Sequence, residues 1–148
     1  MFRGSSFQTI DTKGRLKIPT RFLGTIKRSG GDSIIVSRMD ECLVAYTQAE
    51  WSKIETRILS LAEKSAHLRR FRRIFIGGAF ECNFDKQLRI LIPPMLRQYA
   101  QFKKEIVLVG VLSHFEIWSR GRWEDENSRL EEDLLKEEVR NEIASLGL

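Results

Sequence analysis

An internal repeat is the feature that most constrains the fold of this chain. Residues 9–19 (TIDTKGRLKIP) recur as residues 83–93 (NFDKQLRILIP), at an offset of 74 positions. The aspartate, the arginine and the proline are identical in the two copies, and the apolar positions between them are kept. Further on, residues 43–47 match residues 115–119 at an offset of 72. Both halves therefore follow one plan, which indicates the duplication of a single unit.

Each half begins with two short β-rich runs around a polar turn. In the first half the turn occupies residues 11–14, and the runs on either side of it predict a hairpin. Side chains alternate along a strand, so Leu16 and Ile18 share one face and are expected to be buried. Arg15 and Lys17 then point to solvent.

The other predicted elements complete an α+β pattern of antiparallel strands and helices. Strands are predicted at residues 33–37, 43–47, 80–84, 89–92, 106–111 and 115–118, and helices at residues 20–26, 65–75 and 94–102. A further helix carries Trp51, Ile54, Ile58, Leu61 and Ala62 as a core-packing stripe, with its start near Thr47 or Gln48, and a single amphipathic helix is predicted from Arg122 onward. Tyr46, Trp118 and Trp123 are expected to pack rather than to stack on bases.

Charge is distributed unevenly along the chain. Residues 124–148 hold nine acidic and three basic side chains, a balance of −6, whereas the 123 residues before them carry +11. No apolar run approaches the ~20 residues that span a bilayer, and the first residues do not resemble a secretory signal. The sequence therefore predicts a cytoplasmic protein whose basic body favours a polyanionic partner, most often nucleic acid.

A cluster of four arginines at residues 69–73 is open to two interpretations. On a helix these arginines could contact nucleic acid directly. They could equally form a solvated face, or pair with the acidic tail of the same or a neighbouring chain, and this second interpretation is favoured.

Patterns typical of catalysis are missing from the sequence. It has no Gly-x-Ser-x-Gly elbow and no phosphate-binding Gly-x-x-x-x-Gly-Lys-Ser/Thr loop. Cys42 and Cys82 form no CxxC pair and are expected to be buried free thiols. His67 and His114 have no partner at metal-ligand spacing. We therefore expect no enzyme activity, no metal site and no cofactor.

The turn at residues 11–15 is the most informative stretch for function. Gly14 can supply the positive φ that a tight turn requires, and Asp11 can accept hydrogen bonds from backbone amides of the turn. Lys13 and Arg15 are then held outward on a rigid support. The planar fork of an arginine can reach O6 and N7 of guanine together, which is worth about 1–3 kcal/mol of base discrimination.

Together these motifs resemble the MraZ family of bacterial transcriptional regulators. The resemblance rests on residues 1–4 (MFRG), on residues 11–15 followed by Pro19, and on the duplicated Asp85 and Arg89. It implies two tandem AbrB-like swapped-hairpin repeats that form a pseudo-twofold β-barrel with flanking helices. It also implies a ring-shaped homo-oligomer, associated with the nucleoid, that binds short G-rich direct repeats in double-stranded DNA. Such proteins mostly repress the operon for cell division and cell-wall synthesis.

The resemblance also implies site residues and a division of the chain, because the Asp-x-x-Gly-Arg loop of the family makes its DNA contacts. The DNA-binding candidates are Lys13, Arg15, Lys17, Lys86 and Arg89, and the loop-supporting candidates are Asp11, Gly14 and Asp85. The expected division is a first repeat at residues 1–63, a linking helix at 64–79, a second repeat at 80–123 and an acidic helical tail at 124–148.

The second loop departs from the family pattern at two positions. Gln87 stands where the first loop has Lys13, and Leu88 stands where it has Gly14. A leucine at positive φ costs on the order of 1–3 kcal/mol, so either the strain is tolerated or the loop takes another shape. For this reason Arg15 is expected to be the stronger DNA contact, and Arg89 is a candidate to pair with Asp85 or a neighbouring chain.

Other functions remain open at this point. The basic surface could make the protein an oligomeric adaptor that docks an acidic protein, and no residue separates a DNA-binding protein from an RNA-binding one. The acidic tail could occupy the arginine loops of a neighbouring copy and compete with DNA; its removal would then tighten DNA binding.

Overall fold

The computed structural model describes residues 1–61 and 65–148. Its strands are β1 (Ser5–Thr9), β2 (Arg15–Lys17), β3 (Ser33–Met39), β4 (Cys42–Thr47), β5 (Phe80–Asn83), β6 (Arg89–Leu91), β7 (Glu105–Gly110) and β8 (Phe115–Ser119). Its helices are α1 (Thr20–Arg28), α2 (Gln48–Ser60), α3 (Ala66–Gly77), α4 (Pro94–Tyr99), α5 (Arg120–Asp133) and α6 (Glu137–Ala144). Ala62 of the predicted stripe, and the expected boundary between residues 63 and 64, lie outside the described residues.

The strands form two antiparallel sheets that combine both halves of the chain. One has six strands in the order β1-β7-β8-β4-β3-β5, and the other pairs β2 with β6. By the sequence repeat, β1 to β4 correspond to β5 to β8 in order. Exchanging corresponding strands reverses the order of the large sheet and leaves its neighbours unchanged. The sheet order therefore has the pseudo-twofold symmetry that the repeat predicts.

Strand pairing corrects the predicted hairpin. β1 pairs with β7, and β2 pairs with β6, so these two consecutive strands of the first half do not pair with each other. β3 likewise pairs with β5 of the second half. Residues 11–15 close on themselves through a bond from the Asp11 amide to the Arg15 carbonyl of 3.1 Å, and the runs on either side then diverge. Their remaining backbone groups find partners in the other half, as swapped hairpins require.

Strand pairing does not close the expected pseudo-twofold β-barrel. β1 and β5 are the two edges of the large sheet, and no strand pairing joins them to each other or to the β2–β6 pair in the described chain. A three-residue strand pair is too short to bridge both edges of a six-stranded sheet. The closure is made instead by side chains, since Leu16 and Ile90 of the small sheet are buried in the same core as the large one.

The inner core lies between the two sheets and under α1 and α4. Leu16, Ile18 and Ile92 are fully buried there, as the alternation of the strand residues predicts for the first two. Phe2, Phe22 and Phe115 form a cluster of aromatic rings with centroids 5.0–5.4 Å apart. This core fixes the small sheet rigidly on the large one.

The helices α2, α3 and α5 cover the outer face of the large sheet. Trp51 of α2 and Phe75 of α3 are buried against Tyr46 and Trp118, which confirms that these aromatic residues pack. Thr47 caps α2 as predicted, by accepting a bond from the Glu50 amide.

Two helix predictions need correction. Leu61 follows the end of α2 and is 51% exposed, so it does not extend the core stripe. The tail is two helices rather than one: α5 starts at Arg120, two residues earlier than predicted, and α6 follows a break at residues 134–136. At the break the Arg140 guanidinium donates to the Leu134 carbonyl at 2.9 Å, which satisfies an acceptor at the end of α5. No helix in the described ranges is long and apolar enough to cross a membrane.

Candidate nucleic-acid interface

The first loop (residues 11–15) is organised by one carboxylate. Asp11 Oδ1 accepts the amides of Lys13 at 3.0 Å and Arg15 at 2.8 Å, and its Oδ2 accepts Arg15 Nε at 2.6 Å. The Gly14 amide donates to the Asp11 carbonyl at 3.0 Å, and Gly14 has φ +90°. Asp11 therefore bonds three groups of the loop, and Gly14 occupies its positive-φ position.

These bonds stabilise the ionised carboxylate. The Arg15 amide, followed by the Arg15 side chain and the Lys13 amide, lowers the pKa of Asp11 from 3.8 to about 2, against a smaller opposing effect of desolvation. Asp11 is thus negatively charged at any pH near neutrality and holds the guanidinium of Arg15 in place.

The second loop (residues 85–89) repeats this arrangement. Asp85 Oδ1 accepts the amides of Gln87 and Arg89, both at 2.9 Å, and Asp85 Oδ2 accepts Arg89 Nε at 2.9 Å. The Arg89 amide is the main cause that lowers the pKa of Asp85. Leu88 adopts φ +61°, so of the two outcomes left open by the sequence, the strain is tolerated and the loop keeps its shape.

The side chain of Leu88 stays exposed at the edge of a pocket. It lines this pocket of about 280 Å³ together with Leu23, Ile26 and Phe84, and with the polar residues Lys27, Asp32 and Asn83. At the equivalent place in the first half, Gly14 lies beside Arg97, which is the repeat counterpart of Leu23. Gly14 of the first loop is therefore paired with Arg97, whereas the equivalent positions at the second loop are Leu88 and Leu23.

The β2–β6 pair carries the basic side chains between the two loops. Lys17 lies opposite Arg89 and Arg15 lies opposite Leu91, so all four share the outward face. Arg89 Nη1 lies 4.0 Å from Asp11 Oδ2, which brings the two loops into electrostatic contact. We call this outward face, with the first and second loops, the basic ribbon.

The predicted DNA-binding side chains all reach the surface. The side chains of Arg15 and Arg89 are 36% and 27% exposed, and Lys13, Lys17 and Lys86 are exposed. Arg89 pairs with Asp85 as the sequence indicated, but Arg15 pairs with Asp11 in the same way. Pairing with aspartate therefore does not distinguish Arg15 from Arg89 as the stronger DNA contact.

Arg97 is a basic residue of this region that the sequence reading missed. Its Nε donates to the Ile92 carbonyl at 3.0 Å, and it lines an open groove of about 550 Å³ together with Asp11, Thr12 and Lys103. The signal was available in the repeat, because an arginine replaces the apolar residue of the first copy at this position.

The other polar candidates of the sequence lie elsewhere. α3, with the arginine cluster, packs on the outer face of the large sheet, whereas the basic ribbon lies against the inner core. Cys42 and Cys82 are buried free thiols, as predicted. Burial raises the pKa of Cys82 to about 11 and also raises that of Cys42. His114 stacks on Tyr46 with ring centroids 4.5 Å apart, and burial lowers its pKa.

Comparison with known proteins points to one family. The family model described as "MraZ protein, putative antitoxin-like" matches residues 1–74 and again residues 75–143. A protein of Desulforapulum autotrophicum named "Transcriptional regulator MraZ" is 58% identical over 148 residues, which is the whole of both chains. Proteins of the same name from Desulfosudis oleivorans and Syntrophobacter fumaroxidans are 50% and 44% identical. The first covers the whole of both chains, and the second covers 89% of this chain and 87% of its own.

Proposed function

The chain belongs to the MraZ family of transcriptional regulators, and on that premise we propose that it binds double-stranded DNA sequence-specifically through the basic ribbon and represses transcription. The observation that carries the proposal is the pair of Asp-buttressed arginines on one outward face of a two-stranded antiparallel ribbon. The major groove of B-DNA is about 12 Å wide and admits such a ribbon.

The geometry of each arginine suits base recognition. Asp11 engages Nε of Arg15 at 2.6 Å, which leaves the terminal amino groups of the guanidinium to reach O6 and N7 of one guanine. Because the carboxylate holds the side chain in place before binding, less rotamer entropy is lost when DNA arrives. Lys13, Lys17 and Lys86 supply phosphate contacts that set the register of the ribbon on the duplex.

Assembly of several copies supplies the affinity that one ribbon lacks. We propose a ring of identical chains whose ribbons engage successive short G-rich direct repeats, so that each further contact forms at a high effective concentration. Occupation of those repeats in the cytoplasm, on the nucleoid, would block the promoter of a cell-division and cell-wall operon without any chemical step. An AbrB-like swapped-hairpin unit, duplicated in one chain, is the proposed fold type.

Replacement of Arg15 tests the DNA contact. Arg15→Ala should abolish preference for a G-rich repeat over random DNA in a mobility-shift titration, because the bidentate contact is lost. Arg15→Lys should keep most of the non-specific affinity but lose the preference, since a lysine carries the charge without the fork. Arg28→Ala, which removes an exposed cation of α1 outside the ribbon, is the matched control and should bind as the wild type does. Unchanged specificity in Arg15→Ala would overturn the proposal.

Salt dependence separates this function from an adaptor that docks an acidic protein. A DNA-binding protein that uses about five phosphates should lose roughly two to three powers of ten in affinity between about 50 and 200 mM salt. It should also keep a preference for its own site over random DNA and over RNA of the same sequence. An adaptor would instead bind all three polyanions weakly and equally.

A further inference from the structure

α6 is a short helix at the end of the acidic tail, and most of its side chains are exposed. It has eight residues, none of them buried, and isolated helices shorter than about 12–15 residues are marginal in water. Its apolar side chains Val139 and Ile143 lie one helical turn apart, form one stripe and are half-buried, and Leu146, just beyond the helix, is 75% exposed. Glu138 and Glu142 flank that stripe on one side. An amphipathic helix of this kind is stabilised by a surface that covers its apolar side.

A groove of matching character lies along α3. It has a volume of about 340 Å³ and runs between α3 and the end of β3. Its apolar side is formed by Met39, Phe71 and Ile74, which are 38%, 37% and 44% exposed. Its basic side is formed by Arg38 and Arg70. The groove thus combines exposed apolar surface with positive charge.

Arg38 gives an independent sign that a partner belongs in this groove. Its guanidinium lies over the ring of Tyr99, 5.0 Å from the centroid. Its Nε is buried and has no hydrogen-bond acceptor among the described residues. A buried guanidinium donor without an acceptor is costly, and carboxylates brought to the mouth of the groove would compensate the positive charge.

We propose that α6 of one copy docks in the α3 groove of a second copy of this chain. The apolar stripe of α6 would cover Met39, Phe71 and Ile74, while Glu138 and Glu142 would face Arg70 and Arg73. The complementarity extends beyond these residues, because the tail carries a charge of −6 and the rest of the chain +11. Eight helical residues span about 12 Å, which fits within the length of the twelve-residue α3.

The contact would join two different surfaces of the chain. α3 packs on β3, whereas α5, which leads into α6, packs on β7 and β8. A contact between α6 and the α3 groove is therefore heterologous, and identical copies repeat it head to tail until the chain of copies closes into a ring. This inference rests on the assembly part of the proposed function and names the surface that would produce it.

Charge reversal on each side tests the contact by solution molar mass. Arg70→Glu with Arg73→Glu, or Glu138→Lys with Glu142→Lys, should each reduce the mass to that of a single 17.2 kDa chain. All four residues are exposed, so folding is preserved, which circular dichroism checks. The four changes in one chain should restore the assembly, because the charges match again. Glu131→Lys with Glu132→Lys makes the same charge change on α5 and should leave the mass unchanged.

Mixing the two reversed variants gives the sharpest outcome. Unchanged α6 then meets unchanged α3, and reversed α6 meets reversed α3, so the mixture should regain the wild-type mass although neither variant alone does. The inference is overturned if the wild type is a single chain, if both reversed variants keep the wild-type mass, or if the combined variant fails to reassemble. It is also overturned if reversal on α6 tightens DNA binding at constant mass, which would place the tail on the arginine loops. Arg15→Ala leaves both surfaces intact, so loss of DNA binding there at unchanged mass separates the two proposals.

Discussion

At the scale of single residues, Asp11 and Asp85 each fix a five-residue loop by the same set of bonds. Each carboxylate accepts two backbone amides and the Nε of its arginine, which is the reason that a leucine can stand at positive φ in one of the loops. The bonds of Asp85 offset a backbone conformation that leucine rarely adopts.

The pH dependence of stability should report the charge of Asp11. Its folded-state pKa is about 2, below the 3.8 of the free group, so its contribution is complete above about pH 4 and is lost as the pH falls toward 2. Urea unfolding of the wild type should show this loss, and Asp11→Asn should show a smaller one because the titrating group is gone. Asp32→Asn, outside both loops, should follow the wild-type curve. Identical curves for Asp11→Asn and wild type would contradict this role.

Gly14 should tolerate substitution less than another glycine of positive φ. Both Gly14 (φ +90°) and Gly30 (φ +85°) would strain an alanine, at a cost of roughly 1–2 kcal/mol. At Gly14 the added Cβ would also meet Arg97 Nε at 2.6 Å and the Ile92 carbonyl at 2.9 Å, whereas Gly30 is open.

Thermal unfolding measures the difference between these two glycines. Gly14→Ala should lower the melting temperature clearly more than Gly30→Ala, because only the first adds a steric clash to the backbone strain. Equal losses would show that Arg97 and the Ile92 carbonyl move away without cost.

At the scale of elements, the β2–β6 pair is one of the strand pairs that join the halves, and it presents the basic side chains. Leu16 and Ile90 lie directly opposite each other on its buried face. Each comes from a different repeat, so their contact is a direct measure of how tightly the halves are joined.

A double-mutant cycle should detect this contact. Leu16→Ala and Ile90→Ala should each cost about 2–5 kcal/mol of unfolding free energy, and the pair should couple by about 0.5–3 kcal/mol. Leu16→Ala combined with Val44→Ala is the control, since Val44 belongs to the outer cluster on the other face of the large sheet. Those two should be additive within about 0.5 kcal/mol. A coupling no larger than that of the control would contradict the pairing.

The sequence predicts most elements but not their partners. Alternation identified Leu16 and Ile18 as buried, and the Asp and Gly positions identified the loop geometry, because both signals are local in the chain. The exchange of strands was not visible in the hairpin pattern, because two runs flanking a turn look the same whether they pair with each other or with another segment. Arg97 was missed for a related reason: its importance comes from Gly14, 83 positions earlier in the chain.

At the scale of the whole molecule, the exchange of strands makes the halves mutually dependent. β1, β2 and β3 each take a partner from the second half. Residues 1–74 alone should therefore fail to form a folded monomer, because β1 and β2 lose their only strand partners and β3 keeps only β4.

Circular dichroism with light scattering can test the isolated half. Residues 1–74 should be unfolded, or folded only as a self-paired dimer, and addition of residues 75–148 should yield a folded one-to-one complex. A folded monomer of residues 1–74 would contradict the exchanged pairing.

Because the two loops carry different residues, the two ends of the basic ribbon are not equivalent. Two identical subunits related by a true twofold axis present the same DNA-binding surface twice and match an inverted, palindromic site. Here the peptide chain ties one loop bearing Lys13, Gly14 and the neighbouring Arg97 to another bearing Gln87 and Leu88, so the two ends of the ribbon could diverge without giving up their common scaffold. If the ribbon binds DNA as proposed, it has a defined direction along the duplex. Copies that all point the same way suit sites written in the same orientation, one after another.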